Sequence, residues 1–380
     1  MIRRLAPLLI AFGLLTALPA AGAAASQFPP GYEGYHTYDE MVTEIHDIAA
    51  AHPDIVALSV IGQSYEGRDL WAVKISDNVN TDENEPEVVF TALTHAREHL
   101  TVEQALALIH WLVDGYGQPG NERTDAIVNS TVIWVLPELN PDGGEFDIKG
   151  GHFHGWRKNR QPTPGSTSIG TDINRNYGYH WGCCGGSSAD PASYLYRGPA
   201  AWSTPEARAE RSFFASRVIG GQQQIRMVLN LHSHAERIIY PYGYTTTPVP
   251  PDMVRRDHRI MAAIAGGMAD RNGYRPSQAS HWYIMSGTAN DWIYHRYRIP
   301  SFTMELGPSA SVHHFNLPSD QIGPETEVNK DALLWFLEQA PCPSAVIGDT
   351  CGTRPSSAPA PAVAAWQMRP SMDLRGSLPI

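Results

Sequence analysis

Histidine and carboxylate side chains a few residues apart at strand ends are the donors that hold a divalent metal, and the chain offers two such clusters. The first is Thr94-His95-Ala96-Arg97-Glu98-His99, directly after the apolar, β-rich run 87–94. In a strand-to-helix turn, His95 and Glu98 can reach one ion. With a third ligand they would make a His2Glu set that leaves a fourth position for hydrolytic water. A competing reading takes H-x-x-E-H as one helix face, with His95 and His99 as ligands and Glu98 as base. That requires His95 to be helical, whereas helical periodicity starts only near His99. Taken alone, the pair is equally well a surface His/Glu contact. The second cluster, Asn230-Leu231-His232-Ser233-His234, closes another buried apolar run. Strand alternation puts His232 and His234 on one side, and His232, nearest the strand end, is the expected third ligand.

Elements must carry these clusters. Helical spacing over 38–51 stops at His52-Pro53, where proline blocks continuation. Runs 55–61 and 70–75 read as strands of a hairpin turned by 63–68. Further strands are expected at 87–94, 131–136, 225–231 and 299–306, with helices at 101–112, 251–271 and 324–340. Ser203-Thr204-Pro205-Glu206 reads as a capping box opening a helix to about residue 218. Between them, 137–202 is rich in Gly, Asn, Pro and Ser, a long aperiodic stretch of the kind that builds sites. Strands alternating with helices argue for one α/β domain with a mixed sheet.

Composition bounds the function. Of 380 residues, 42% are hydrophobic and 18% charged, which excludes a mostly disordered or coiled-coil chain. The formal net charge is −11, and Lys and Arg never run beyond two, so nucleic acid is not an expected partner. Arg3 and Arg4, an apolar run to Leu18 and an Ala-rich zone to Ala25 read as a signal peptide, residues 1–25, too short in its apolar part to span a bilayer. The expected product is secreted, extracellular and free of membrane after cleavage. Its four cysteines then meet an oxidising compartment. A Cys342–Cys351 bridge is favoured, and adjacent Cys183 and Cys184 are either a vicinal disulfide or two thiols. Their spacing matches no zinc site. Residues 341–380, rich in Pro, Ala and Ser, read as a disordered tail.

The order of further motifs resembles the secreted zinc metallocarboxypeptidases (carboxypeptidase A/B/T-like). SYEGR at 64–68, THARE at 94–98, LNPDG at 139–143, WRKNR at 156–160, DINRNY at 172–177, LHSH at 231–234, YPYGY at 240–244 and FTMEL at 302–306 follow the family order. The likeness spans residues 28–340, the expected catalytic domain, and WGCCGGSS at 181–188 points to the bacterial carboxypeptidase T-like branch. The resemblance implies a single α/β domain whose mixed, mostly parallel twisted sheet is flanked by helices. It implies one Zn2+ per chain on His95, Glu98 and His232, with Glu305 as general base and Arg157 stabilising the oxyanion. Asn174 and Arg175 would grip the terminal carboxylate of a peptide, Tyr283 would cap it, and Arg97 would serve an adjacent subsite. Asp172 would orient His95. Asn290 stands at the floor of the side-chain pocket, where basic-specific relatives carry an acid. Neutral terminal residues are therefore expected over Lys and Arg.

The expected enzyme is a monomer acting on peptide or protein C-termini. His234 stands where digestive relatives have tyrosine, and Arg237 replaces an apolar residue. Few residues separate the signal peptide from the domain, so no folded inhibitory pro-segment is expected. Two other readings share the architecture: a non-catalytic peptide binder, which the full set of five site residues argues against, and an amidase for peptidoglycan stem peptides.

Overall fold

Apolar strands and amphipathic helices are interspersed along the chain, and the central strands are packed by helices on both faces. The computed structural model describes residues 28–83, 85–308 and 315–351. The expected signal peptide and the expected tail beyond 351 lie outside them. One eight-stranded sheet holds β1 (Val56–Gln63), β2 (Asp69–Ile75), β3 (Glu87–Thr91), β4 (Val132–Leu136), β7 (Ile225–Ser233), β8 (Arg237–Tyr240), β9 (Arg275–Gln278) and β10 (Ser301–Leu306). A separate two-stranded ribbon holds β5 (Val218–Ile219) and β6 (Gln222–Gln223). The sheet order is β1-β2-β4-β3-β7-β10-β8-β9. Its centre, β4-β3-β7-β10, is parallel, while β1 with β2, β2 with β4, and β8 with β10 pair antiparallel. The mixed, mostly parallel sheet flanked by helices is thus as expected.

Alternation along the central strands divides the interior into two cores. Val88, Phe90, Met227, Leu229, Phe302 and Met304 point to one face. There they meet α1 (Tyr38–Ala51), α2 (Leu100–Val113), α6 (Arg255–Asn272) and α9 (Lys330–Glu338). Val89 and Val228 point to the other face, against α5 (Pro205–Ser216) and α7 (Ala289–Tyr297). Two short helices, α3 (Glu122–Val128) and α4 (Pro141–Asp147), and α8 (Ser319–Glu327) complete the set. The hairpin turn at 64–68 is fastened to α4: Ser64 Oγ donates to Asp142 Oδ1 at 2.6 Å and Arg68 Nη1 to the same oxygen at 2.8 Å. Two motifs distant in sequence are parts of one joint.

Several boundaries differ from expectation. α5 is capped by Thr204, whose hydroxyl accepts from the Ala207 amide, while Ser203 accepts from Asn176 Nδ2. Glu206 turns into the interior and accepts from Asn159 Nδ2, so no capping box forms. The stretch 324–340 is two helices, α8 with Pro324 inside and α9, parted at Asn329. The Asn329 amide donates to Gln104, Tyr274 and the Glu325 carbonyl, and these bonds hold the break open. α6 begins at Arg255, past the residues expected to start it. The expected tail starts too early: Pro343–Ile347 form a 3-10 helix whose Val346 and Ile347 pack on the larger core, and Cys342 is bonded to Cys351.

Candidate active site

The central parallel strands end together on one edge, and both donor clusters emerge there. After β3 the chain turns through Leu93 at φ 44° and carries 94–99 across the sheet before α2 starts at Leu100. His95 is therefore not helical. His99 caps α2, sits 3.2 Å from Asp147 through Nε2, and packs edge-on against Phe28 at 5.0 Å. The helical H-x-x-E-H reading is overturned, because His99 points away from His95 into the core.

His95 Nδ1 lies 2.8 Å from Glu98 Oε1, and His232 Nδ1 lies 2.9 Å from Glu98 Oε2. The two imidazole nitrogens face each other at 3.1 Å. All three side chains are buried. A tetrahedral ion with bonds of about 2.0–2.1 Å would space its donors about 3.3 Å apart, so this set fits zinc. Burial alone would raise the Glu98 carboxyl, but the two imidazoles hold it well below the usual carboxylate range. Behind the set, Asp172 Oδ1 is 3.3 Å from His95 Nε2, and Oδ2 accepts from Arg157 Nε at 2.9 Å. The Arg157 and Arg175 guanidinium groups outweigh its burial and keep Asp172 ionised.

Glu305 arrives by strand alternation. With Phe302 and Met304 turned into the larger core, Thr303 and Glu305 must face the cleft, and Glu305 pairs in register with His232. Arg157, 9% exposed, has Nη1 3.9 Å from Glu98 Oε1. Arg175 is buried, and its Nε donates to the Gly186 carbonyl at 2.6 Å. Its Nη1 donates to the Asn174 carbonyl at 2.7 Å, and its Nη2 lies 3.5 Å from the hydroxyl of Tyr283, which is 40% exposed. Asn174 Oδ1 accepts from the Ala289 amide, which leaves its NH2 group for the cleft.

These residues line one hollow of about 320 Å3, together with Arg97, Tyr194, His234, Ile239, Trp282, Met285, Thr303 and Phe315. A larger hollow of about 550 Å3, beside α1, is lined by none of these groups. Arg97 stacks its guanidinium 4.1 Å above Phe315, and the His234 ring meets Phe315 edge-on at 4.8 Å. Arg237, the register partner of Glu305 on β8, lays its guanidinium over Trp282 at 5.2 Å. Thr303, and not Asn290, the residue expected at the pocket floor, is among the residues lining the hollow. Asn290 stands behind it, with Nδ2 donating to Thr303 Oγ1 at 2.7 Å and Oδ1 accepting from Asn230 Nδ2 at 2.6 Å. Sequence reading passed over Thr303, although its place two residues before Glu305 on one strand is a usable signal. Tyr194, Trp282 and Phe315 sit in loops and had none.

The zinc carboxypeptidase family profile matches residues 41–332. The chain belongs to the zinc carboxypeptidase family. A zinc carboxypeptidase from Saccharothrix mutabilis subsp. capreolus is 44% identical over 324 residues, 85% of this chain and 74% of that protein. Human carboxypeptidase A1 is 31% identical over 310 residues, 81% and 70% of the two chains. The crystal structure of carboxypeptidase A from Helicoverpa armigera superposes with a TM-score of 0.70 at 26% identity, covering 83% of this chain and 75% of that one. This zinc carboxypeptidase is a peptide hydrolase, and its family acts on peptide C-termini. The donor set His95, Glu98 and His232 suits the family's metal.

Proposed function

We propose that the protein is a secreted carboxypeptidase that removes the last residue of peptides bearing a free α-carboxylate, with Glu305 as general base and one zinc per chain. The observation that carries this reading is that one hollow gathers the three donors and Glu305 together with Arg175, Asn174 and Tyr283. Zinc, when held by His95, Glu98 and His232, supplies a Lewis acid for the substrate carbonyl and for water. Arg175 and the Asn174 amide hold the terminal carboxylate, and Tyr283, exposed beside them, covers it. Glu305 takes the proton of the attacking water and returns it to the departing amine. Arg157, fixed by Asp172, donates to the carbonyl oxygen as negative charge develops. Asp172 also faces His95 Nε2 and keeps that ring turned to the metal.

Thr303, Ile239 and Met285 receive the terminal side chain. Among the described residues, the carboxylates lining the cleft are Glu98, in the donor set, and Glu305, the register partner of His232, so a buried Lys or Arg head would find no partner of its own. Neutral residues are preferred for that reason. Secretion rests on the signal-like residues 1–25. The test compares each peptide with its C-terminal amide, using termini of Phe, Leu, Lys and Arg. Free acids are cleaved, with Phe and Leu ahead. Losing the carboxylate leaves the Arg175 charge unpaired, at a cost of about 2–5 kcal/mol. Equal rates on acids and amides would sink the exopeptidase reading, and faster release of Lys or Arg would sink the neutral pocket.

A further inference from the structure

Arg175 takes its position from a turn outside the cleft. The Gly186 carbonyl that accepts from Arg175 Nε belongs to the stretch 182–188, which contains the bonded pair Cys183–Cys184. The same turn grips the segment that follows Tyr283. The Gly185 carbonyl accepts from Ser286 Oγ at 2.9 Å, and the Ser187 and Ser286 hydroxyls are 3.1 Å apart. A Cβ on Gly186 would sit 2.0 Å from the Ile284 carbonyl oxygen, so backbone lies directly on backbone there. The turn has an unusual shape. Cys184 sits at φ 64°, in the left-handed region that non-glycine residues seldom occupy, and Gly182, Gly185 and Gly186 also have positive φ. The small covalent ring between neighbouring cysteines confines the backbone that leads into Gly185 and Gly186. Cys184 is exposed and Cys183 half-buried, so the bond is open to reagents from solvent.

We propose that the Cys183–Cys184 disulfide is a positioning element for Arg175 and Tyr283, which makes capture of the substrate carboxylate sensitive to dithiols. The inference rests on the carboxylate-gripping role given to Arg175 above. In the chemical step, one thiolate of the dithiol attacks the exposed Cys184 sulfur and the sulfur–sulfur bond breaks. Cys183 leaves as a thiolate and takes up a proton. The second thiol of the reductant then resolves the mixed disulfide, so that two cysteine thiols and one oxidised, cyclic disulfide result. Freed of the ring, Cys184 can relax from its left-handed conformation, and the carbonyl that aims Arg175 moves with it.

The test measures kcat and KM on a free-acid peptide with the zinc-loaded enzyme. The enzyme is assayed oxidised, reduced by dithiothreitol and then desalted without air, and reoxidised, with zinc content checked in each state. Reduction is expected to raise KM by about tenfold, within the range lost when a positioning group shifts by an ångström, while kcat changes little. Reoxidation restores KM. The Cys183→Ser/Cys184→Ser variant shows the high KM in either state, and Cys342→Ala/Cys351→Ala responds like the parent. An unchanged KM in both the reduced parent and the Cys183→Ser/Cys184→Ser variant would overturn the inference. So would a response that disappears with the Cys342–Cys351 bridge. Failure of the oxidised parent to cleave any free-acid peptide defeats the underlying reading of the cleft as well; ready cleavage with a reduction-blind KM defeats this inference alone.

Discussion

A carboxylate that must accept a proton is useful only while ionised, and Glu305 sits where ionisation is opposed. Burial, helped by the neighbouring Glu98 carboxylate, pushes Glu305 up to about 8, with His95, Arg157 and Arg237 pulling the other way. A dication on the adjacent donors lowers it further, since opposite charge favours the carboxylate. The acid limb of kcat/KM therefore falls below pH 8: activity rises with pH as Glu305 loses its proton. Glu305→Gln keeps the metal, loses about 10²–10⁴-fold in kcat, and shows no such limb in what remains. A fully metallated Gln variant with near-parent turnover would refute the assignment. The candidate ligands His95 and His232 were legible in sequence because they follow or end short apolar strands, whereas the role of Glu305 came with the resemblance to the family. That Thr303 rather than Asn290 lines the hollow was not legible, since it depends on how closely α7 approaches β10.

Between elements, a chain of charges ties the amino-terminal segment to two helices. His36 Nε2 meets Glu44 of α1 at 2.7 Å, Glu44 meets His110 of α2 at 2.9 Å, and His36 Nδ1 meets Glu103 of α2 at 2.9 Å. Burial works against charge on His36, but hydrogen bonds to Glu103 and Glu44 prevail and raise it from 6.5 to about 10. The bond to Glu44 likewise raises His110 to about 9. Groups raised on folding stabilise fully below their unfolded value and lose that stabilisation as pH passes the folded one. The decline should therefore run from about pH 6.5 to about pH 10. Both histidines are partly exposed, at 28% and 38%, so each contributes no more than about 1 kcal/mol. Urea midpoints taken at pH 7 and pH 10 should converge for parent and Glu44→Gln at the higher pH; a gap that persists would refute the charge chain. Element types were readable from apolar period and proline punctuation. The split at Asn329 and the shift of the α5 cap were not, because distant partners such as Gln104 and Asn159 decided them.

At the scale of the molecule, the metal donors hang on a finished frame. His95 follows β3 and His232 closes β7, and these strands pair through Thr91 and Asn230 by backbone bonds that need no ion. Stripping the metal with a chelator should abolish turnover and lower the melting temperature by the loss of ligand linkage. Circular dichroism in the far ultraviolet should stay the same, and one equivalent of zinc should restore activity. Turnover that persists in protein verified free of metal, or collapse of the secondary structure, would refute this division of labour. The support beneath Thr303 has a further consequence. Thr303 and Glu305 share a face of β10, but only Thr303 is braced from behind by Asn290 of α7. A replacement at Asn290 would loosen Thr303 and its register partner Asn230 through two hydrogen bonds, while the backbone pairing of Glu305 with His232 stays in place. If Thr303 receives the terminal side chain as proposed, lineages can drift in which termini they trim, one codon at a time, while the chemistry that does the trimming is inherited intact.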